Sequence, residues 1–203
     1  ELKYNQLQLY TEHTFAFSAH EKVWRGSSAY SSSDILEIKK YAKLHNISLV
    51  PNLNSFGHLE RWLKHADYKE LAECPNGFHT SWGEYRKNGS VIKPTQKSLT
   101  FLNELYDEMI PNFDSPYFNV GCDETWELGQ GYSKKACAKK GRVRVYLDFL
   151  LKIEKLVKKQ HKKMMFWGDI ILHEPELVNE LTKDCIALEW GYEATHPFNK
   201  DCA

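Results

Sequence analysis

The sequence carries no excess charge of either sign: across 203 residues, 27 Lys and Arg stand against 27 Asp and Glu. Nucleic-acid backbones and anionic membrane surfaces are bound through a basic excess, so neither partner is expected. The densest basic run, Lys158 to Lys163, falls at the end of an expected helix, where cations suit the helix dipole. No apolar run approaches the ~18 residues that a membrane-spanning helix needs. Cys-x-x-Cys pairs are absent from the five cysteines (Cys74, Cys122, Cys137, Cys185 and Cys202), which argues against a zinc site. Their odd number and uneven spacing lean towards a reducing, cytoplasmic compartment, with Cys122 and Cys185 as buried thiols in apolar runs. No secretory leader heads the sequence, and since it opens at Glu1 without Met its natural start is expected upstream. Linkers, low-complexity tracts and internal repeats are missing as well, so residues 1–203 read as a single domain.

What the sequence does have is an ordinary hydrophobic share of 42% and many aromatics, with 6 Trp, 11 Tyr and 10 Phe. Its apolar residues alternate between two periodicities. "YNQLQLY" (4–10), "ISLVPNL" (47–53), "YFNVGC" (117–122), "MMFWGD" (164–169) and "CIALEW" (185–190) read as strands. Between the first two, Ile35, Ile38, Tyr41 and Ala42 share a helical face, with Ser33 or Asp34 as cap. Leu99, Leu102, Leu105 and Met109 mark a second helix capped by Thr95. Val143, Leu147, Leu150, Ile153 and Leu156 or Val157 stripe a third helix over roughly 142–160, and Pro175 opens a fourth. Strands apolar on both faces and joined by helices predict a parallel sheet. Residues 65–95, with Pro75, Gly77, Gly83, Gly89 and Pro94, read as one long excursion of the kind that builds lids or walls.

Polar residues gather at one end of these strands. Glu12 and His13 follow the first; Asn52, Asn54 and His58 the second; Asp123, Glu124 and Trp126 the third; Trp167 and Asp169 the fourth; Trp190, Tyr192 and Glu193 the fifth. Ligands of parallel α/β folds bind at the carboxyl ends of strands, so this mouth is the expected site. Adjacent carboxylates such as Asp123 and Glu124 repel in a desolvated pocket. One pKa should then rise, leaving a carboxyl able to act as a general acid at neutral pH. The competing reading has Asp123 capping a helix and Glu124 in solvent.

"NVGCDETW", preceded by "LVPNLNSFGHLERWL" and followed by "MMFWGDII", resembles the catalytic signature of glycoside hydrolase family 20, the β-N-acetylhexosaminidases. The Phe-Gly-His-Leu-Glu run resembles the hexosaminidase D-like branch. The resemblance spans about residues 4–198 and implies a (β/α)8 TIM barrel, here partial, with about five βα units corresponding to strands 2–6. It further implies exo-hydrolysis of terminal GlcNAc or GalNAc β-linkages in glycans or glycoconjugates, by a substrate-assisted retaining mechanism with no cofactor and no metal. Asp123 would orient the 2-acetamido group and Glu124 would be the general acid/base. His58, oriented by Glu12, would back the acid. Trp167 and Trp190 would wall the sugar pocket, with Trp126, Asp169, Tyr192 and Glu193 at its rim. The sequence departs from the family in having Asn52 and Asn54 where carboxylates are usual. Because one strand would precede Glu1 and two would follow Ala203, the 203-residue chain is expected to be inactive alone. A carbohydrate-binding pseudoenzyme is the alternative.

Overall fold

The computed structural model describes residues 3–202. β1 (Gln6–Leu9) and β2 (Ser48–Pro51) pair in parallel, with Leu7 opposite Leu49. β3 (Phe78–His79) and β4 (Tyr85–Arg86) form a small antiparallel hairpin. β5 (Tyr117–Asn119), β6 (Lys163–Trp167) and β7 (Ile186–Leu188) pair in parallel, Phe118 facing Met164 and Met165 facing Ile186. A bridge between Asn52 and Asn119, where the Leu53 N–H donates to the Asn119 carbonyl at 2.9 Å, joins β2 to β5. The five parallel strands therefore follow one another in chain order.

The helices are α1 (Glu21–Trp24), α2 (Ser32–Leu44), α3 (Glu60–Leu63), α4 (Ala66–Lys69), α5 (Gln96–Met109), α6 (Lys134–Lys140), α7 (Arg142–Lys159) and α8 (Phe198–Asp201). Among the described residues none is long and apolar enough to cross a membrane. α2, α5 and α7 make the first three crossovers. The fourth, opened at Pro175, is a 3₁₀ stretch (Pro175–Glu180), not an α-helix; at six residues without a side-chain cap, the tighter winding suffices. α2 starts two or three residues earlier than expected. Ser31 caps it in a capping box, its Oγ accepting from the Asp34 N–H at 3.2 Å while Asp34 Oδ2 accepts from the Ser31 N–H at 2.8 Å. Tyr41 stands out in solvent because, six residues on, it points about 120° away from Ile35. α6 has no apolar periodicity and buries none of its residues.

The expected stripes of α5 and α7 are buried. One contact of α7 bears on function. Phe56, fully buried in the loop after β2, stacks on Tyr146 at 5.5 Å and meets Phe149 edge-on at 4.8 Å. Such pairs add about 0.5–1.5 kcal/mol each beyond area burial, and here they anchor the turn that carries Gly57 and His58.

The segment from α4 to α5 is zipped at its base by an antiparallel bridge between Ala72 and Ile92, and bears the β3–β4 hairpin at its tip. Two fully buried acids fix it to the loop after β5. Glu73 Oε1 accepts from the N–H groups of Gly129, Gly131 and Ser133 and from Ser133 Oγ, at 2.6–3.2 Å. Reciprocally, Glu127 Oε1 accepts from the Ser90 and Val91 N–H groups at 2.6 and 2.8 Å, and its Oε2 from Ser90 Oγ at 2.8 Å. Burial raises the Glu127 pKa against the pull of these donors.

Candidate active site

The loops leaving β2 and β5 meet through two glycines. A Cβ on Gly57 would lie 2.2 Å from the Asp123 carbonyl oxygen, and one on Gly121 would lie 1.9 Å from Asn54 Oδ1. Only glycine allows either approach. Past them the backbone enters the left-handed region at His58, Cys122 and Glu124 (φ +58°, +72° and +47°), a conformation that sharp turns impose and that clusters at functional sites.

These turns aim three side chains at one another. His58 Nε2 lies 3.2 Å from Asp123 Oδ2 and 3.2 Å from Glu124 Oε2, and its Nδ1 lies 3.6 Å from Glu12 Oε1. Burial draws the His58 pKa down, but the Asp123, Glu12 and Glu124 carboxylates together hold it above its ordinary value. For Glu124, burial raises the pKa and the Asp123 charge adds to the rise, against the opposing pull of His58. The Glu124 carboxyl thus stands above the ordinary glutamate range, the direction that favours its protonated form.

Glu12 is held from behind, since its carbonyl accepts the indole N–H of the fully buried Trp62 at 2.8 Å. Asp169, expected at the rim, lies beneath the pair, where its Oδ2 accepts the Glu124 N–H at 3.2 Å. Burial, reinforced by the Asp123 charge and opposed by that N–H, pushes its pKa from 3.8 to about 6. Asn52 and Asn54 tie strand ends together: Asn52 Oδ1 accepts from the Thr11 N–H at 3.2 Å, and Asn54 Nδ2 donates to Tyr10 Oη at 2.7 Å.

Two clefts flank the His58–Glu124 pair. One, of about 280 Å³, is lined by Tyr10, Asp123, Trp167, Trp190 and Tyr192 together with the pair itself. Buried Trp167 Nε1 and Asp123 Oδ1 have no hydrogen-bond partner among the described residues, so polar atoms as well as aromatic faces stand ready for a ligand, whereas the Trp190 indole N–H lies near enough to Asp169 to favour its carboxylate. The other, of about 190 Å³, is lined by Trp126, Arg86 and Asn88 among others. The structure thus brings Asp123, Glu124, His58, Trp167, Trp190 and Tyr192 together at the first cleft, with Glu12 behind His58, and sets Trp126 in the second.

Tyr10 escaped the sequence reading. Its hydroxyl, 3.4 Å from Glu12 Oε1, sits where burial and the Asp123 charge both hold its pKa up, so it is a hydrogen-bond donor at neutral pH. Its one signal was its place at the carboxyl end of β1. His58, Asp123 and Glu124 also present ligand atoms within 4.8 Å of one another, as do Glu189, His196 and Asp201, a spacing that a metal ion could use.

Residues 4–200 match the family described as glycosyl hydrolase family 20, catalytic domain. Hexosaminidase D of Bos taurus is 29% identical over 136 residues, covering 64% of this chain and 35% of that protein. Beta-hexosaminidase subunit A1 of Dictyostelium discoideum is 32% identical over 102 residues, 48% of this chain and 17% of that protein. The chain thus spans about a third or less of the length of these relatives. Among solved structures, the chitobiase of Flavobacterium johnsoniae superposes with a TM-score of 0.72 at 22% identity, covering 93% of this chain and 29% of that one. Streptomyces plicatus N-acetyl-beta-hexosaminidase in complex with Thio-NAglucal gives 0.69 at 19% identity, covering 98% and 38%. The five strands are part of a (β/α)8 TIM barrel.

Proposed function

The chain belongs to glycosyl hydrolase family 20, and from that premise we propose that the whole protein is an exo-acting β-N-acetylhexosaminidase that removes terminal GlcNAc or GalNAc with retention of configuration. The observation that carries this reading is the convergence of Asp123, Glu124 and His58 at a cleft walled by Trp167 and Trp190. The terminal N-acetylhexosamine sits in that cleft, its ring and acetamido methyl against the indole faces.

The two carboxyls divide the work. Asp123 holds the acetamido N–H and so aims the amide oxygen at C1. As that oxygen bonds to C1, the bond from C1 to the glycosidic oxygen breaks, and Glu124 gives its proton to the departing oxygen. Positive charge develops on the cyclised oxazolinium, against the Asp123 carboxylate. Glu124, now an anion, takes a proton from water whose oxygen attacks C1. The ring opens, the amide is restored, and two inversions leave the β-configuration. His58, raised in pKa and tied to Glu12, supplies positive charge beside both carboxyls and steadies Glu124 once it is an anion. Asp169 fixes the backbone at Glu124, and the Tyr10 hydroxyl donates to the sugar or to the carboxylates.

The test is turnover of a β-GlcNAc glycoside by the full-length protein, with product stereochemistry followed by proton NMR. A first-formed β-anomer is expected. A first-formed α-anomer would sink the mechanism. Calorimetric binding of a GlcNAc oligomer without turnover would point to a binding protein instead.

A further inference from the structure

Tyr10 follows β1 directly and stands, half-exposed, in the lining of the first cleft beside Asp123, Trp167 and Trp190. Its hydroxyl oxygen accepts from Nδ2 of the fully buried Asn54 at 2.7 Å. With that oxygen serving the amide, what the hydroxyl has left to offer is its proton. Burial and the Asp123 charge keep the proton on the phenol at neutral pH. The nearby acceptor is Glu12 Oε1 at 3.4 Å, well beyond the roughly 2.5–2.7 Å of a strong bond from a hydroxyl to a carboxylate. The same Glu12 oxygen also faces His58 Nδ1 at 3.6 Å. The Tyr10 proton is therefore free to meet an acceptor brought into the cleft. Asn54 is one of the two amides that stand where carboxylates are usual, and the difference matters here. A carboxylate has no proton to give and would take the one that Tyr10 carries.

We infer that Tyr10 is a substrate-binding residue that donates its proton to the hydroxyl oxygen on C3 of the terminal sugar, and that Asn54 is the positioning residue that aims it. The assignment rests on the placement of the sugar proposed above. In that placement Asp123 takes the acetamido N–H on C2, and the acetamido oxygen is turned towards C1, so neither is open to a second donor. The next oxygen round the ring is the C3 hydroxyl. Tyr10 lies close enough to Asp123 for that charge to act on its own hydroxyl, which puts the phenol beside the group that holds C2. The other phenol in the lining, Tyr192, is 90% exposed and has no comparable brace among the described residues. GlcNAc and GalNAc share the C3 hydroxyl and differ at C4, so the contact serves either sugar.

The experiment measures kcat/KM of the full-length protein on 4-methylumbelliferyl N-acetyl-β-glucosaminide and on its 3-deoxy analogue. The wild type is expected to favour the 3-hydroxy substrate by roughly tenfold, the scale of one hydrogen bond lost. Tyr10→Phe keeps the ring and loses only the hydroxyl, so it should cut that preference to under about threefold, chiefly through KM. Asn54→Asp cuts it in the same direction, and the double variant cuts it no further than Tyr10→Phe alone, because both changes remove the same donor. A merely structural role for either residue would depress both substrates equally and leave the ratio unmoved. Tyr10→Phe decides the contact by itself should Asn54→Asp fold poorly. A wild type without the preference, or a Tyr10→Phe enzyme that keeps it, overturns the contact and leaves the glycosidase standing. A folded Asn54→Asp enzyme that keeps the full preference overturns the role given to Asn54. If the wild type turns over neither substrate, the glycosidase reading falls and the contact goes with it.

Discussion

Gly57→Ala tests the geometry of the site without touching a charged group. The added Cβ would lie 2.2 Å from the Asp123 carbonyl oxygen, and because that atom is backbone it cannot swing aside. Nonbonded contacts of this kind do not fall below 3.0 Å, so the two loops must part by about 0.8 Å. The turn at Gly57 is pinned by Phe56 against α7, so most of the movement passes to Asp123 and Glu124. Displacements near 1 Å from productive alignment cost on the order of 10²-fold in rate. The expected result is a fall of roughly 10²-fold in kcat/KM on an aryl β-GlcNAc glycoside in the full-length protein, with the thermal midpoint lowered by only a few degrees. Gly26→Ala is the control. It also strains the backbone, at φ +76°, but its Cβ meets nothing within 4 Å, so it should cost stability and leave the rate alone. A Gly57→Ala enzyme within threefold of wild type would refute the claim that this contact sets the catalytic alignment.

Glu124→Gln should lower kcat/KM for a disaccharide by about 10²–10⁴-fold, and far less for an aryl glycoside whose leaving group needs no proton; equal losses would count against the acid assignment. His58→Asn removes the cation that draws the Glu124 pKa down, so the alkaline limb of the kcat/KM profile should move to higher pH, and a fixed or lowered limb would contradict the geometry. Asp169 has its folded pKa raised from 3.8 to about 6, so the stability it contributes is full below pH 3.8 and is lost as pH rises towards 6. Asp169→Asn should flatten urea-derived stability across that window; an unchanged slope would place the shift elsewhere. Glu73→Ala takes the acceptor from the Gly131 and Ser133 N–H groups and from the Ser133 hydroxyl, while the Gly129 N–H keeps Ser133 Oγ at 2.9 Å, for a loss of about 2–4 kcal/mol in urea unfolding, and a loss under about 1 kcal/mol would show that the acid ties little down.

The strands, the three long helices and the carboxylate pair with its histidine were legible in the sequence because each leaves a local trace. Leu99, Leu102, Leu105 and Met109 repeat at the helical period, and Asp123 and Glu124 stand where an apolar run stops. Tyr10 left no such trace, being one tyrosine among 11, and only the β1 end that it shares with Glu12 gives it meaning. Three serines in a row hid the Ser31 cap, which needs the Asp34 side chain to be singled out. Asp169 reads identically in sequence whether at a rim or beneath a backbone N–H. Glu73 and Glu127 look like ordinary solvated acids, because their partners are backbone groups 36 to 60 residues away and belong wholly to the tertiary structure.

Those two acids make the hairpin-bearing segment and the loop behind the acid into one interchangeable cassette. Transplanting residues 72–91 onto another barrel without 127–133 would strand Glu73 without donors and leave Ser90 and Val91 reaching for a missing acceptor. Whoever wishes to graft this segment onto another scaffold should exchange both halves at once.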